Sequence, residues 1–283
     1  MLKEQVQHYW DQQPCGTQFT EFPWGTPEFF ADVERFRYTV QPFMHRLIGF
    51  ERYKGKRVLE VGCGLATDLL QFARHGACVT GIDLSPQSIR LARQRFSLEG
   101  LPGEFLVADA EQLPFPNASF EVVYSFGVLH HTPNIVQALA EIHRVLIPGG
   151  EVILMLYHRH SIHVWLGTPL YIARTLRRQQ RLRRGAHLWR TLVELLQRGT
   201  WWQTEWVRIY DGETNPLGRS FSRREVRALL HNFQDVRFHL CDPVRRRFPR
   251  WINWLNQRIV APFAGFYLLV RARKPTPSQY SPP

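Results

Sequence analysis

From residue 57 onward the apolar positions of the chain alternate between two rhythms. RVLEVG, CVTGID, EFLVAD, FEVVYSFG and EVILMLY are short apolar runs rich in Val, Ile and Phe, the pattern of buried strands. Between them, ATDLLQFARHG, SPQSIRLARQRF and IVQALAEIHRVL bring apolar residues back at helical spacing. The punctuation agrees: Ser85 and Pro86 open the second helix, Gly76 closes the first, and Pro148-Gly149-Gly150 is expected to stop the third. Strand and helix in strict alternation require crossovers, and so a mostly parallel sheet covered on both faces.

After Tyr157 the rhythm breaks. Residues 158–210 are rich in Arg and Trp, with Leu176, Leu182, Leu188, Leu192, Leu195 and Leu196 at helical spacing. They predict a helical cap inserted after the fifth strand, over the ligand edge of the sheet. Alternation resumes with SRREVRALLHNF, capped by Ser222, then VRFHLC and GFYLLVRAR, with RFPRWINWLNQRIVAPF as an extra element between these last two strands. The expected organisation is a helical lead-in or lid at 1–50, a ligand-binding core at 51–157, the cap at 158–210, the rest of the sheet with a helical insertion at 211–274, and a Pro/Ser-rich disordered tail at 275–283.

Charge divides along the same line. Residues 1–157 carry 13 Lys and Arg against 17 Asp and Glu, whereas residues 158–283 carry 23 against 7. The basic half invites an anionic partner: an acidic substrate, a membrane surface or nucleic acid. The four cysteines are scattered without a C-x-x-C, which speaks for a reducing compartment and against a zinc ribbon. The polar start MLKEQVQHYWDQQ has no signal-peptide core, and no apolar run is long enough to span a bilayer, so a cytoplasmic protein is expected.

Candidate chemistry begins at VLEVGCGLATD. No Lys and hydroxyl residue follow Gly64, as a phosphate-binding P-loop needs, and Thr67 stands where a dinucleotide fingerprint has its third glycine. Glu60, at the end of the strand, would repel a pyrophosphate but stabilise a cationic ligand. Asp83 closes the second strand, placed to accept ribose hydroxyls, and Asp109 closes the third, placed to take an adenine amine. Together they describe adenosine with a cationic tail, S-adenosylmethionine.

These segments, with GIDLSPQSI, ADAEQLPFPNASFEVVYSFGVLHHTPN and IPGGEVILMLY, resemble the class I S-adenosylmethionine-dependent methyltransferases of the small-molecule type, over about residues 57–157. The resemblance implies an α/β, doubly wound, Rossmann-like sheet, mostly parallel and seven-stranded. It also implies that Gly62, Cys63 and Gly64 form the loop passing the cofactor, that Glu60 faces the methionine amino end, and that Asp83 binds the ribose diol. Leu84 would pack on adenine, Asp109 and Ala110 would hold its edge, and Ser125 and Phe126 would lie beside the sulfonium. One departure stands out: Ala66 replaces the family's third glycine.

A methyl acceptor that loses a proton needs a base. His130 and His131, just beyond the fourth strand, are candidates, His130 slightly ahead, with Tyr157 as a base or a pocket wall. His158, His160 and His163 lack the spacing and carboxylate of a helical zinc site, and no metal is expected. Neither the [DNS]-P-P-[YFW] of base-amine methylation nor a Pro-Cys follows the fourth strand, which disfavours nucleic acid. Trp251, Trp254, Leu255, Ile259 and Phe263, with Arg250 and Arg258, fit either an interfacial helix or a pocket-lining cap. The expected acceptor is a small molecule, anionic and lipidic or aromatic, with O-methylation favoured and peripheral membrane contact open. RNA methylation and a non-catalytic cofactor-binding protein are the alternatives. Tyr9, Trp10 and Trp24 would form a lid or a clasp.

Overall fold

The structure, a computed structural model, describes residues 2–164, 211, 215–242 and 249–276. The expected cap and tail therefore lie outside the described residues, apart from residues 158–164 and 275–276. The first 50 residues contain the helices α1 (Leu2–Gln12), α2 (Pro27–Val40) and α3 (Met44–Ile48). The sheet contains β1 (Arg57–Val61), β2 (Cys78–Asp83), β3 (Glu104–Val107), β4 (Phe120–Phe126), β5 (Leu146–His158), β6 (Ser220–Phe221), β7 (Gln234–Cys241) and β8 (Tyr267–Arg273). Helices α4 (Thr67–Arg74), α5 (Pro86–Glu99) and α6 (Ile135–Val145) fill the crossovers, and α7 (Arg223–Leu229) precedes β7.

The strand order is β3-β2-β1-β4-β5-β8-β7, parallel from β3 to β5, with β8 antiparallel to both its neighbours. These are the seven expected strands; the two-residue β6, which no periodicity could mark, adds an eighth beside Tyr157 and His158. The Pro-Gly-Gly expected to end α6 does not do so. The helix stops at Val145, and residues 146–150 are already extended as the start of β5, with Gly149 at φ +77°.

Alternation along the strands sends side chains to two cores. Val58, Val122, Tyr124, Ile153 and Met155 pack with Met44, Phe50, Phe72 and Phe96 on one face. Leu59, Val61, Val123, Val152 and Leu154 pack with Ile135, Leu139, Ile142 and Val226 on the other. Sequence rules for caps hold at four helices: Ser85 accepts from the Ser88 amide, Thr26 from Phe29, Asn134 from Gln137, and Ser222 forms a capping box with Glu225. Because β1, β2, β4 and β5 run parallel, their carboxyl ends share one edge, where ligands of such sheets bind.

Candidate active site

One end of this edge is acidic and buried. Glu60 is 4% exposed, and its Oε2 has no hydrogen-bond partner among the described residues. Burial, then the nearby Asp68, pushes its carboxyl well above the usual carboxylate range; Arg37 offsets this only in part. The Cys63 thiol is pushed up as well, by burial first and then by Asp83 and Glu60. An anion would be repelled here, and a cation would relieve the cost. The loop leaves room for one: Gly62 turns at φ +74°, where a Cβ would meet Val128 at 2.3 Å, whereas a Cβ on Gly64 would enter open space. Ala66 takes the left-handed conformation a glycine prefers, at φ 53° and ψ 34°.

Asp83 is half-buried and holds the loop together. Its Oδ2 accepts from the Gly64 amide (2.9 Å) and its Oδ1 from the Ser85 amide (2.9 Å). Each oxygen keeps a further lone pair, so the carboxylate can still accept two hydroxyls. Burial raises its pKa, and these amides draw it back down. Ser125 is spoken for, since its hydroxyl donates to the Val61 carbonyl (2.9 Å) and ties β4 to β1. The Phe126 ring carries the Arg37 guanidinium 4.4 Å above its centroid.

Helix α1 lies across this end, and its polar residues were missed from sequence. Lys3 Nζ donates to Asp109 (2.5 Å) and Glu111 (2.7 Å), so the carboxylate assigned to an adenine amine is engaged by a lysine. Gln7 donates to the Leu84 carbonyl (3.0 Å), while Asp11 accepts from the Ser85 hydroxyl (2.8 Å) and the Gln87 amide (2.9 Å). Ala110 is half-buried on the adjoining loop. Trp24 stands apart, largely exposed in the turn before α2. A second unanticipated feature is the buried Asp68, which accepts from Arg37, Tyr38 (3.0 Å) and Tyr124 (2.8 Å).

The other end brings together residues distant in sequence. Tyr157 stacks between Phe266 (4.6 Å between centroids) and His130 (4.1 Å), and His130 lies 4.2 Å from His131. The two histidines differ in their bonding. His131 has an oxygen at each ring nitrogen: the Leu217 carbonyl at 2.5 Å from Nδ1 and Asp211 Oδ2 at 3.2 Å from Nε2. His130 is fully buried, and neither ring nitrogen has a partner among the described residues. Burial, then His131 and Arg219, holds its pKa well below that of an ordinary imidazole. Asp211 also accepts from the Tyr157 hydroxyl (2.7 Å), while its backbone carbonyl accepts from Tyr9 (2.7 Å). Trp10 covers His131 at 5.2 Å. Nothing in the sequence marks Asp211, which sits in a stretch without periodicity.

Metal ligation was weighed on His158, His160 and His163. Among the described residues it is instead His130, His131 and Asp211 that bring three possible ligand atoms within 4.8 Å of one another. A groove of about 670 Å³ among Phe30, Glu34, Tyr38, Arg74, Arg95 and Leu98 lies against α2 and α5, away from the strand ends. Glu34 there is already matched by Arg74 (2.5 Å) and Arg95 (2.6 Å), so the groove offers no unmet charge from that carboxylate.

A family model described as a methyltransferase domain matches residues 59–154. A phthiotriol/phenolphthiotriol dimycocerosates methyltransferase of Mycobacterium leprae is 44% identical over 110 residues, 38% of this chain and 40% of that protein. A fatty-acid O-methyltransferase of Mycolicibacterium smegmatis is 39% identical over 130 residues, 45% of this chain and 46% of that protein. The chain thus matches less than half the length of these curated relatives. Among solved structures, a SAM-dependent methyltransferase of Aquifex aeolicus superposes with a TM-score of 0.51 at 14% identity, over 88% of this chain and 98% of that one. The [4+2]-cyclase SpnF does so with a TM-score of 0.52 at 19% identity, over 97% and 93%. At such identities the likeness is one of fold. Together with the strand order and the glycine loop, the matches identify residues 59–154 as a domain of the class I S-adenosylmethionine-dependent methyltransferase family.

Proposed function

We propose that this chain transfers a methyl group from S-adenosylmethionine to a small hydrophobic acceptor carrying a negative charge, most readily at oxygen. One observation carries the reading: a single edge of the sheet holds a buried carboxylate with one oxygen unpartnered at one end and, at the other, a buried imidazole whose ring nitrogens have no partner among the described residues. The names of two relatives, one acting on a dimycocerosate lipid and one on a fatty acid, support a lipidic acceptor. The basic second half of the chain supports a negative one.

The cofactor would supply an electrophilic methyl on a sulfonium. The residues of this chain do the rest. Glu60 binds the ammonium end, Asp83 the ribose hydroxyls, and Gly62, Cys63 and Gly64 let the backbone approach. Leu84, Asp109 and Ala110 line the adenine side, with Asp109 exchanging or sharing Lys3. Phe126 and the Ser125 backbone close the end of β4. Where the methylated oxygen is a hydroxyl, His130 takes its proton on a ring nitrogen, because it is the histidine with nitrogens uncommitted; a carboxylate oxygen needs no such step. His131 and Asp211 position it, and Tyr157 forms the wall. Helix α1 covers the edge as a lid, and entry of the acceptor requires Tyr9 and Trp10 to move. Alignment of the reacting groups in a closed, dry site can supply roughly 7–11 kcal/mol of the barrier.

The test is transfer of a labelled methyl from S-adenosylmethionine to a panel containing fatty acids, phenolic lipids, neutral hydrophilic alcohols and RNA. Product with the anionic amphiphiles alone supports the reading. Product only with hydrophilic acceptors or RNA contradicts the acceptor class, and cofactor binding without any transfer makes the chain a non-catalytic binder.

A further inference from the structure

Between β7 and β8 the chain forms one continuous helical stretch: α8 (Arg250–Leu255), a π-helical segment (Asn256–Val260) and α9 (Ala261–Ala264). Trp251, Trp254, Leu255, Ile259 and Phe263 are all exposed, from 36% to 79%. In an unbroken α-helix this spacing would drift around the axis. The wider turn of the π segment advances each residue less, which brings Ile259 and Phe263 back beneath Trp251 and Leu255. The outcome is one apolar stripe facing solvent.

The charge around the stripe has one sign. Residues 250–264 hold Arg250 and Arg258 and no acidic residue. Asp242, the acidic residue that precedes the stretch, is fully buried, accepting from Asn256 (3.0 Å) and from the Phe266 amide (2.5 Å), so it anchors the stretch. Arg250 and Arg258 flank the stripe, and the Arg258 guanidinium lies 5.8 Å from the Trp254 ring centroid. Aromatic and aliphatic bulk bordered by arginine is the chemistry of a helix lying in a membrane interface. A second copy of the chain would set the same positive border against itself, which disfavours self-pairing.

The stretch also sits at the acceptor end. Tyr267, which begins β8, pairs with Tyr157 at the end of β5, and Phe266 stacks on the Tyr157 ring. We infer that the Arg250–Ala264 stretch docks the protein on an anionic lipid surface and holds the acceptor end of the sheet toward the bilayer. This deepens, and rests on, the reading of a hydrophobic acceptor: such a molecule would reach His130 from lipid without crossing water.

The test is co-sedimentation of the full chain with vesicles of phosphatidylcholine alone and of phosphatidylcholine with phosphatidylglycerol, with tryptophan fluorescence as a second readout. Binding to the anionic vesicles with a blue shift is expected, weakening as salt is added. Arg250→Gln with Arg258→Gln should weaken it roughly 30-fold, at about fivefold per arginine. Trp251→Ser with Phe263→Ser should weaken it by roughly tenfold or more. Both pairs should leave S-adenosylhomocysteine binding unchanged, which also shows that they fold. A parent that stays in solution with anionic vesicles, or variants that bind as well as the parent, overturns the inference. So does self-association that the Trp251→Ser, Phe263→Ser pair abolishes, since the stripe would then be a protein interface. Vesicle binding without methyl transfer to any acceptor would leave the docking intact and remove the catalytic reading, whereas transfer without vesicle binding would do the reverse.

Discussion

The two ends of the ligand edge differ in how they are assembled and in what they cost. The acidic end is built from strand termini of successive β/α units: Glu60 ends β1 with Val61, Asp83 ends β2, and Asp109 follows β3. Once the sheet forms, each residue is delivered by the element it belongs to. The histidine end has no such local origin. Tyr9 meets Asp211 across 202 positions, and His131 meets Leu217 across 86. At the first end the fold buries negative charge and keeps it only partly compensated; at the second it buries an imidazole and leaves both nitrogens idle. Both arrangements are unfavourable taken alone, because a buried polar atom without a partner costs about 1–3 kcal/mol. Such costs persist where binding or proton transfer uses the group.

The largest effect expected from breaking this contrast is at His130. His130→Asn should lower kcat by roughly 10²- to 10⁴-fold while cofactor affinity holds, in single-turnover assays with the accepted substrate. His131→Asn should cost less in kcat and more in thermal stability, because it breaks two contacts that fix the edge. The reverse ranking would exchange the roles of the two histidines. Since burial keeps His130 neutral in the fold, the acid limb of the kcat profile should lie below about pH 6.5. Stability follows the same sign. The unfolded chain takes up a proton on this histidine below about pH 6.5 and the native state does not, so stability falls as pH is lowered, and His130→Asn should flatten that slope. His158, pushed down to about 4 by burial, adds to the slope in both proteins.

Glu60→Gln sharpens the comparison at the other end. Roughly tenfold weaker S-adenosylhomocysteine binding is expected, as one charge-assisted contact is lost. At the same time the unliganded variant should melt higher than the parent. The folded carboxyl sits above its unfolded value, so its contribution is favourable only below about pH 4.5 and is lost as pH rises through the folded value. The stabilisation by Gln should therefore grow with pH and vanish in acid, which melting curves across that range would show. A variant less stable at neutral pH would mean that Glu60 has a cation partner already.

Smaller effects test the remaining details. Ala66→Gly relieves a left-handed alanine but frees the unfolded chain, so stability should move by no more than about 1 kcal/mol, read from denaturant midpoints. Treatment with a chelator should leave transfer unchanged if the His130, His131 and Asp211 cluster handles a proton. Activity lost on chelation and restored by zinc would assign the cluster to a metal.

Much of the acidic end was legible because its residues sit at fixed offsets in a periodic pattern: the strand ends at Glu60 and Asp83 and the glycines between them need no tertiary information. The capping of α5 by Ser85 was legible for the same reason. Lys3 on Asp109 was not, since a charged residue on an N-terminal helix carries no signal of which loop it will meet. Nor was Asp211, nor the division of labour between adjacent histidines, which depends on one carbonyl and one carboxylate supplied from beyond residue 210. The exposed face of residues 251–263 lies between these cases. Its spacing was visible, but only the structure shows that a π turn aligns it and that it is exposed.

The most direct test of the central claim is calorimetric titration of the whole chain with S-adenosylhomocysteine, beside Asp83→Asn, which keeps the size of the side chain and removes its charge. Saturable binding is predicted in the parent, tightening as pH rises and Glu60 gives up its proton, and weakened at least roughly tenfold in the variant. Absence of binding in the parent, or equal affinity in both proteins, would contradict the assignment of this loop to a cationic nucleoside and every catalytic role that depends on it.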